Sequence, residues 1–339
     1  MTIIIGIPKE VKEYEYRVSL TPTDVYNLKS SCNVIVYVEK NAGINASFTD
    51  DDYIKAGAFI SSDKEVLFLL SNIIVKVKEP QECEYRYITE NHLIFTFFHF
   101  ASNLGLLKEM IRKKTTCIAY ETIKKDDGTY PILCEMSKIA GEKGLEKALT
   151  ENKENKEIKI SIIGVGNAGK AATYKALELG YKNIHLIDID KNKMNVFEEF
   201  DECCLYEMNE RNLKELVKTS NVIIGSIYNT GKKAERLITN EMLDNMIPGS
   251  IIIDIAIDQG GITEQSLPTK LANPFISYKN TRIYCVPNIP SLVPCEASEK
   301  LSGVILPYLK MMILEPSENW SEELKRGINI YNGELLISL

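Results

Sequence analysis

The sequence predicts an α/β protein of two domains, each built on a parallel sheet flanked by helices. Three observations carry that prediction. The chain has 339 residues, more than one ordinary domain holds, and 45% are apolar, enough for two cores. Short apolar runs alternate with helix-like stretches, the pattern of parallel strands joined by right-handed crossovers. One such run, Ile160-Ser-Ile-Ile163, feeds a glycine turn, Gly164-Val-Gly166-Asn-Ala-Gly169, and a helix-like segment follows it.

The elements follow in order. Residues 3–7 and 34–38 are short apolar strands, and Thr21-Pro22 opens a helix with a capping hydroxyl and proline at its first position. Residues 72–78, 93–98 and 117–120 are further strands, and 124–129 turn around Asp127-Gly128. A helix is expected over 136–150, then a solvated charge run over 151–157. The alternation resumes with strands at 160–163, 184–187, 222–224, 251–255 and 283–286. Met246-Ile-Pro-Gly249 is a turn before the fourth of these. Helices are expected over 298–309 and 321–326, on either side of a loop at Pro316.

Composition narrows the function classes. Acids outnumber bases, 47 to 40, and the net charge of −7 argues against nucleic acid as a partner. No apolar run approaches the length of a membrane span. The first residues read as a strand and not as a signal peptide, because no basic stretch precedes the apolar run. Eight cysteines are scattered without a C-x-x-C pair, as expected for reduced thiols in the cytoplasm. Three histidines without ligand spacing point to no metal site.

The glycine turn carries the first functional signal. Gly164 permits a tight turn, Gly166 lets a pyrophosphate approach the backbone, and Gly169 lets the helix pack against the strand. Asn167 and Ala168 lie inside the turn, where phosphate would meet free N–H groups at the helix start. Asp188 ends the next apolar run, placed to accept hydrogen bonds from an adenosine ribose. Strand, turn, helix, strand and acid in this order predict a Rossmann-like dinucleotide site. The alternative is a packing turn in a generic α/β protein.

Four further segments each have two readings. Arg17 precedes a helix start, either to grip a carboxylate with its planar fork or to form a surface salt bridge. Lys76 and Lys78 sit two apart, on one face of a strand end, as a substrate ligand or as ordinary strand-end charge. His99 lies among phenylalanines, as a proton shuttle or a satisfied core residue. Asp258 opens a glycine turn after a strand, as a working carboxylate or a turn cap.

Together these segments resemble the alanine dehydrogenase family, which shares its fold with the alpha subunit of proton-pumping transhydrogenase. The resemblance rests on Gly6-Ile-Pro-Lys-Glu10, Glu15-Tyr-Arg-Val-Ser-Leu-Thr-Pro22, Lys76-Val-Lys-Glu-Pro80 and Phe95-Thr-Phe-Phe-His99. Ala119-Tyr-Glu-Thr122, Met136-Ser137, Ile139-Ala-Gly141, the glycine turn and Asp254-Ile-Ala-Ile-Asp-Gln-Gly-Gly261 continue it.

It implies two Rossmann-like domains. A substrate domain spans residues 1–131 and is completed by 296–339, and the NAD-binding domain, 132–295, is inserted into it. It implies that Arg17 and Lys78 hold the substrate carboxylate and carbonyl, that His99 is the acid/base, and that Asp258 is the other essential polar group. Ser137 and Asn288 would touch NAD beside the glycine turn and Asp188. The implied activity is oxidative deamination of L-alanine or its reverse, by a homo-oligomer, a hexamer in the family. Reductive condensation of a keto acid with a second amino acid, a soluble transhydrogenase-like subunit and a non-catalytic relative are the alternatives.

The chain departs from the family pattern after Gly141, where the segment is shorter, and in its Asn288-Ile289-Pro290. At Cys295-Glu-Ala-Ser298 the family carries a basic or threonine-serine-threonine stretch. Glu296, if turned toward the site, would favour a substrate larger than alanine or one carrying an amine.

Overall fold

The computed structural model describes residues 2–151, 155–227 and 235–337. Part of the predicted charge run at 151–157 lies outside the described residues. The chain forms two units, Met1–Met136 with Ser291–Leu339, and Ser137–Pro290.

The first unit starts with β1 (Ile3–Ile7), whose Ile5 and Ile7 are fully buried. α1 (Pro22–Ser31) begins as predicted, with the Thr21 hydroxyl accepting from Asp24 N–H at 3.3 Å. β2 (Val34–Glu39), α2 (Asp50–Lys55), β3 (Phe59–Ser61) and α3 (Lys64–Leu70) follow. Then come β4 (Ile73–Lys78), β5 (Leu93–Phe97), α4 (Leu104–Arg112) and β6 (Thr116–Ala119). The six strands are parallel, in the spatial order β3-β2-β1-β4-β5-β6. This is the doubly wound order, in which the connections reverse direction between β1 and β4. One face packs Leu67, Phe68, Phe98, Leu106 and Met110 into a core. Each such side chain contributes roughly 1.5–3 kcal/mol by leaving water.

α5 (Pro131–Ala148) starts earlier than the expected helix and runs from the first unit into the second. There the strands are β7 (Ile160–Ile163), β8 (Ile184–Asp188), β9 (Cys203–Glu207), β10 (Val222–Gly225), β11 (Ile251–Asp254), β12 (Phe275–Tyr278) and β13 (Thr281–Tyr284). The helices are α6 (Asn167–Glu178), α7 (Glu210–Thr219) and α8 (Asn240–Asp244). The order β9-β8-β7-β10-β11-β13 repeats the doubly wound pattern, and its reversal falls between β7 and β10. β12 adds an antiparallel edge that the periodicity did not predict. α7 buries Leu213, Leu216 and Val217, one stripe at helical spacing, against the isoleucines of the sheet.

The chain then returns to the first unit through α9 (Pro294–Leu314) and the short α10 (Glu322–Lys325). β14 (Ile328–Tyr331) pairs antiparallel to β6, and β15 (Glu334–Leu335) pairs with β14. No helix among the described residues is long and apolar enough to cross a membrane.

Candidate active site

In the first unit the predicted residues gather at the carboxyl ends of neighbouring strands. Arg17 lies in the loop after β1, Lys78 ends β4, and His99 follows β5 by two residues. β1, β4 and β5 are adjacent in the sheet, and the β1/β4 boundary is its reversal point, where open α/β sheets bind ligands.

Arg17 is 2% exposed, so it is not a surface salt bridge. Glu15 holds one edge of its guanidinium, with Nε donating to Oε1 at 2.7 Å and Nη2 to Oε2 at 2.6 Å. Nη1 faces the Met136 sulfur at 3.2 Å. The Nε–Nη2 edge of the guanidinium fork is thus occupied by the chain itself. The surrounding loop is tied to the returning segment. Ser291 and Ser298 accept from the N–H groups of Tyr16 and Val18 at 3.2 and 3.0 Å, and Ser302 accepts from Thr21 at 3.0 Å. Ser298, in the stretch that departs from the family pattern, is fully buried and holds this loop. Glu296 lies in the first turn of α9.

The two lysines of β4 have different surroundings. Lys76 is 1% exposed, with its ammonium 3.2 Å from Glu10 and 3.1 Å from Glu84. Burial opposes its charge, but the carboxylates outweigh burial and raise its pKa. Glu10 is raised as well, first by burial; Lys76 works against that rise, while Glu84 and Glu15 add to it. The β4–β5 register shifts between Val75 and Lys78, and Lys78 is only partly buried. There Glu10 replaces the ladder, accepting from Val77 N–H at 2.7 Å and lying 3.5 Å from Lys78 N.

The three histidines separate cleanly. His92 accepts from Thr89 N–H at 3.0 Å through Nδ1, so its Nε2–H donates to the Phe68 carbonyl at 2.9 Å. Burial lowers its pKa. His185 lies between Tyr206 and Asn183, at 3.1 and 2.7 Å, and burial, helped by nearby Lys159, pulls it down to about 4. Both are satisfied neutral rings. His99 is exposed despite its aromatic sequence context, which removes the core reading. Its backbone is left-handed, with φ 50° and ψ 42°, and its ring stacks on Phe97 at 5.7 Å.

In the second unit Gly164 has φ +89°, a conformation that favours glycine. A side chain at Gly169 would collide with the Gly164 carbonyl, so α6 packs on the turn as expected. Gly166 differs: among the described residues a Cβ there meets nothing within 4 Å, so packing against them does not require glycine. Gly166 is the N-cap of α6 and gives no side-chain cap, and Asn167 and Ala168 begin the helix. An open backbone at an uncapped helix start fits a pyrophosphate. Asp188 is 5% exposed and braces this turn, accepting from Val165 N–H at 2.6 Å. Its other oxygen accepts from Asp190 N–H at 2.9 Å and lies 3.6 Å from Lys193.

Asp258 is exposed in a 3-10 turn, Ile255–Gln259, directly after β11. Asp254 anchors that turn by accepting from Ile262 N–H at 2.8 Å and from the Ser266 hydroxyl. Ser137 is partly buried in α5, and Asn288 is left-handed, with φ 59°, beyond β13.

Glu10, Glu15 and Glu121 stand in the resembling segments with no role expected of them. The structure makes them holders: Glu10 of β4, Glu15 of Arg17, and Glu121 of the His99 backbone. Their signal was present only as acids near strand ends.

Two doubly wound sheets define the class, a two-unit α/β dehydrogenase. One carries a glycine turn braced by an acid, and the other carries a lysine beside its reversal point and a histidine after the next strand. More specifically, the chain belongs to the alanine dehydrogenase/PNT family. The model of the family's N-terminal domain matches residues 6–140, and that of its C-terminal domain matches 138–338. An alanine dehydrogenase of Staphylococcus saprophyticus is 34% identical, over 98% of this chain and 94% of the relative. One from Halomonas elongata is 33% identical over the same shares. A solved L-alanine dehydrogenase superposes with a TM-score of 0.90 at 30% identity, covering 98% of this chain and 97% of that one. A transhydrogenase from Sinorhizobium meliloti shares the fold, with a TM-score of 0.86 at 23% identity over 98% of each chain.

Proposed function

We propose that the chain catalyses the NAD-dependent oxidative deamination of L-alanine, with water, to pyruvate and ammonium, and the reverse. The observation that carries this reading is that Lys78 ends β4 beside the reversal point, His99 follows the adjacent β5 by two residues, and Arg17 lies in the loop that leaves β1 on the other side of β4. The second sheet supplies a nucleotide turn at its own reversal point.

Bound NAD supplies the acceptor for the hydride that leaves the substrate Cα. Gly164, Gly166, Asn167, Ala168 and Gly169 would hold its pyrophosphate, Asp188 its adenosine ribose, and Ser137 and Asn288 its other polar groups. Arg17 meets the substrate carboxylate, and Lys78 steadies the carbonyl oxygen as charge develops there. His99 takes a proton from the water that adds to the imine carbon and returns it in the reverse direction. Asp258 provides the second polar group for that transfer.

The test is NADH oxidation by the purified chain with pyruvate and ammonium, then with pyruvate and a panel of amines and amino acids. Turnover with ammonium is expected. Turnover only when an amino acid replaces ammonium would assign reductive condensation instead, and none with any amine would remove the enzyme reading.

All eight cysteines are free thiols, which supports a cytoplasmic protein. Exposed Tyr26, Ile54 and Phe59 in the first unit support a homo-oligomer, to be checked by light scattering on the eluting protein.

A further inference from the structure

We propose that Glu121 is a positioning residue that sets the imidazole of His99, an inference that rests on the reading of His99 as the proton-transfer group. β5 and β6 run in register from Leu93↔Thr116 to Thr96↔Ala119, and the ladder ends there. The chain then leaves β6 in a 3-10 turn, Tyr120–Thr122, which turns the Glu121 carboxylate back to the end of β5. Its two oxygens accept from Phe98 N–H at 3.1 and 3.2 Å, and Oε1 accepts from His99 N–H at 2.6 Å. A side-chain carboxylate therefore takes over where a neighbouring strand would have supplied carbonyls.

A carboxylate is suited to this place. His99 is left-handed, a conformation that non-glycine residues rarely adopt without support. A carboxylate has acceptor sites enough for both successive N–H groups, and its charge strengthens each bond. The other side of the His99 peptide is also held: its carbonyl accepts from Ser102 N–H at 3.0 Å and from the Ser102 hydroxyl at 2.9 Å. Phe97 supports the ring face. An exposed imidazole is thus aimed by its own backbone. Without Glu121 the turn relaxes toward extended backbone, and the ring swings off its line. Misplacing a catalytic group by about 1 Å costs on the order of 100-fold in rate.

The experiment compares Glu121→Gln and Glu121→Asp with the native chain and with His99→Ala, measuring kcat, KM for pyruvate, NADH affinity and thermal unfolding. Glu121→Gln should lower kcat by about 10- to 100-fold, by weakening a charged bond and placing an amide donor against an N–H. KM and NADH affinity should stay within about threefold, because neither ligand is held by this turn. Glu121→Asp keeps the charge and should recover part of the loss. In single turnovers, adding Glu121→Gln to His99→Ala should cost nothing further, since the group being positioned is gone.

A kcat within twofold of native for Glu121→Gln, alongside an inactive His99→Ala, would overturn this proposal and leave the reading of His99 standing. Independent losses in the double variant, or unfolding of both Glu121 variants, would also overturn it, by making the carboxylate a requirement of the fold. Near-native turnover by His99→Ala would instead remove the reading of His99.

Discussion

Glu15 grips Arg17 through two hydrogen bonds of 2.7 and 2.6 Å at a position that is 2% exposed. Two residues apart, they form a buried ion pair whose geometry depends on the planar guanidinium. Arg17→Lys keeps the charge but loses one of the parallel bonds, and it should lower kcat/KM for alanine by at least about 100-fold. Glu15→Gln should lower it about 10-fold, by loosening the guanidinium proposed to meet the substrate. NADH affinity should not change in either variant, as titration by fluorescence would show. Near-native kcat/KM for Arg17→Lys would remove Arg17 from the site.

Lys76 and Lys78 should separate stability from activity. Lys76→Met leaves Glu10 and Glu84 buried beside a lost cation, which costs roughly 3–5 kcal/mol of stability. Lys78→Met should unfold near the native temperature and lose turnover. Thermal melts and steady-state rates on the two variants check the contrast. The reverse pattern would exchange their roles.

The cofactor preference should follow Asp188. A 2′-phosphate would approach a carboxylate already bracing the glycine turn, so NAD should exceed NADP in kcat/KM by about 100-fold, the equivalent of two pKa-sized increments of binding energy. Asp188→Ala should weaken NAD binding and erase the preference, because it removes the repulsion and the Val165 brace together. Lys193, 3.6 Å from Asp188, keeps its positive charge beside that position in the variant. Better kcat/KM with NADP in the native chain would refute this role for Asp188.

Acid should destabilise the second unit through His185. Its folded pKa is lowered to about 4, so below the unfolded value of about 6.5 the unfolded chain binds a proton that the folded chain refuses. Its contribution to stability is complete above about pH 6.5 and declines as pH falls toward 4. His92, lowered by burial, acts with the same sign in the first unit. Denaturant melts from neutral pH downward should show this slope, and His185→Gln should flatten it. An unchanged slope would mean that other groups control acid sensitivity.

Glu296 tests the idea of a larger substrate. If alanine is the substrate, Glu296→Gln leaves kcat/KM for alanine within about twofold, inside the usual range for a change away from reacting groups. A fall of 10-fold or more with a longer or amine-bearing substrate, and none with alanine, would revive that idea.

Local pattern was enough for the central strands and the glycine turn. Ile160–Ile163, Gly164 and Asp188 declare themselves because a buried parallel strand needs an unbroken apolar run and a tight turn needs glycine. The edge strands were not legible. Cys203–Glu207 and Phe275–Tyr278 are largely exposed or half-buried, so no apolar run marks them, and Ile328–Tyr331 becomes a strand only by pairing with β6 from far along the chain.

By itself the sequence determined the α/β class, the central strands and the polar residue types that stand near their carboxyl ends. Only the tertiary structure decided which residue of each kind is buried. It sealed Lys76 between two acids, left Lys78 partly open at a break in register, neutralised His92 and His185 inside hydrogen bonds, and brought His99 to the surface in a left-handed turn. The physical reason is that chain-local pattern encodes backbone geometry, whereas burial, charge and proton affinity depend on neighbours that only folding brings together.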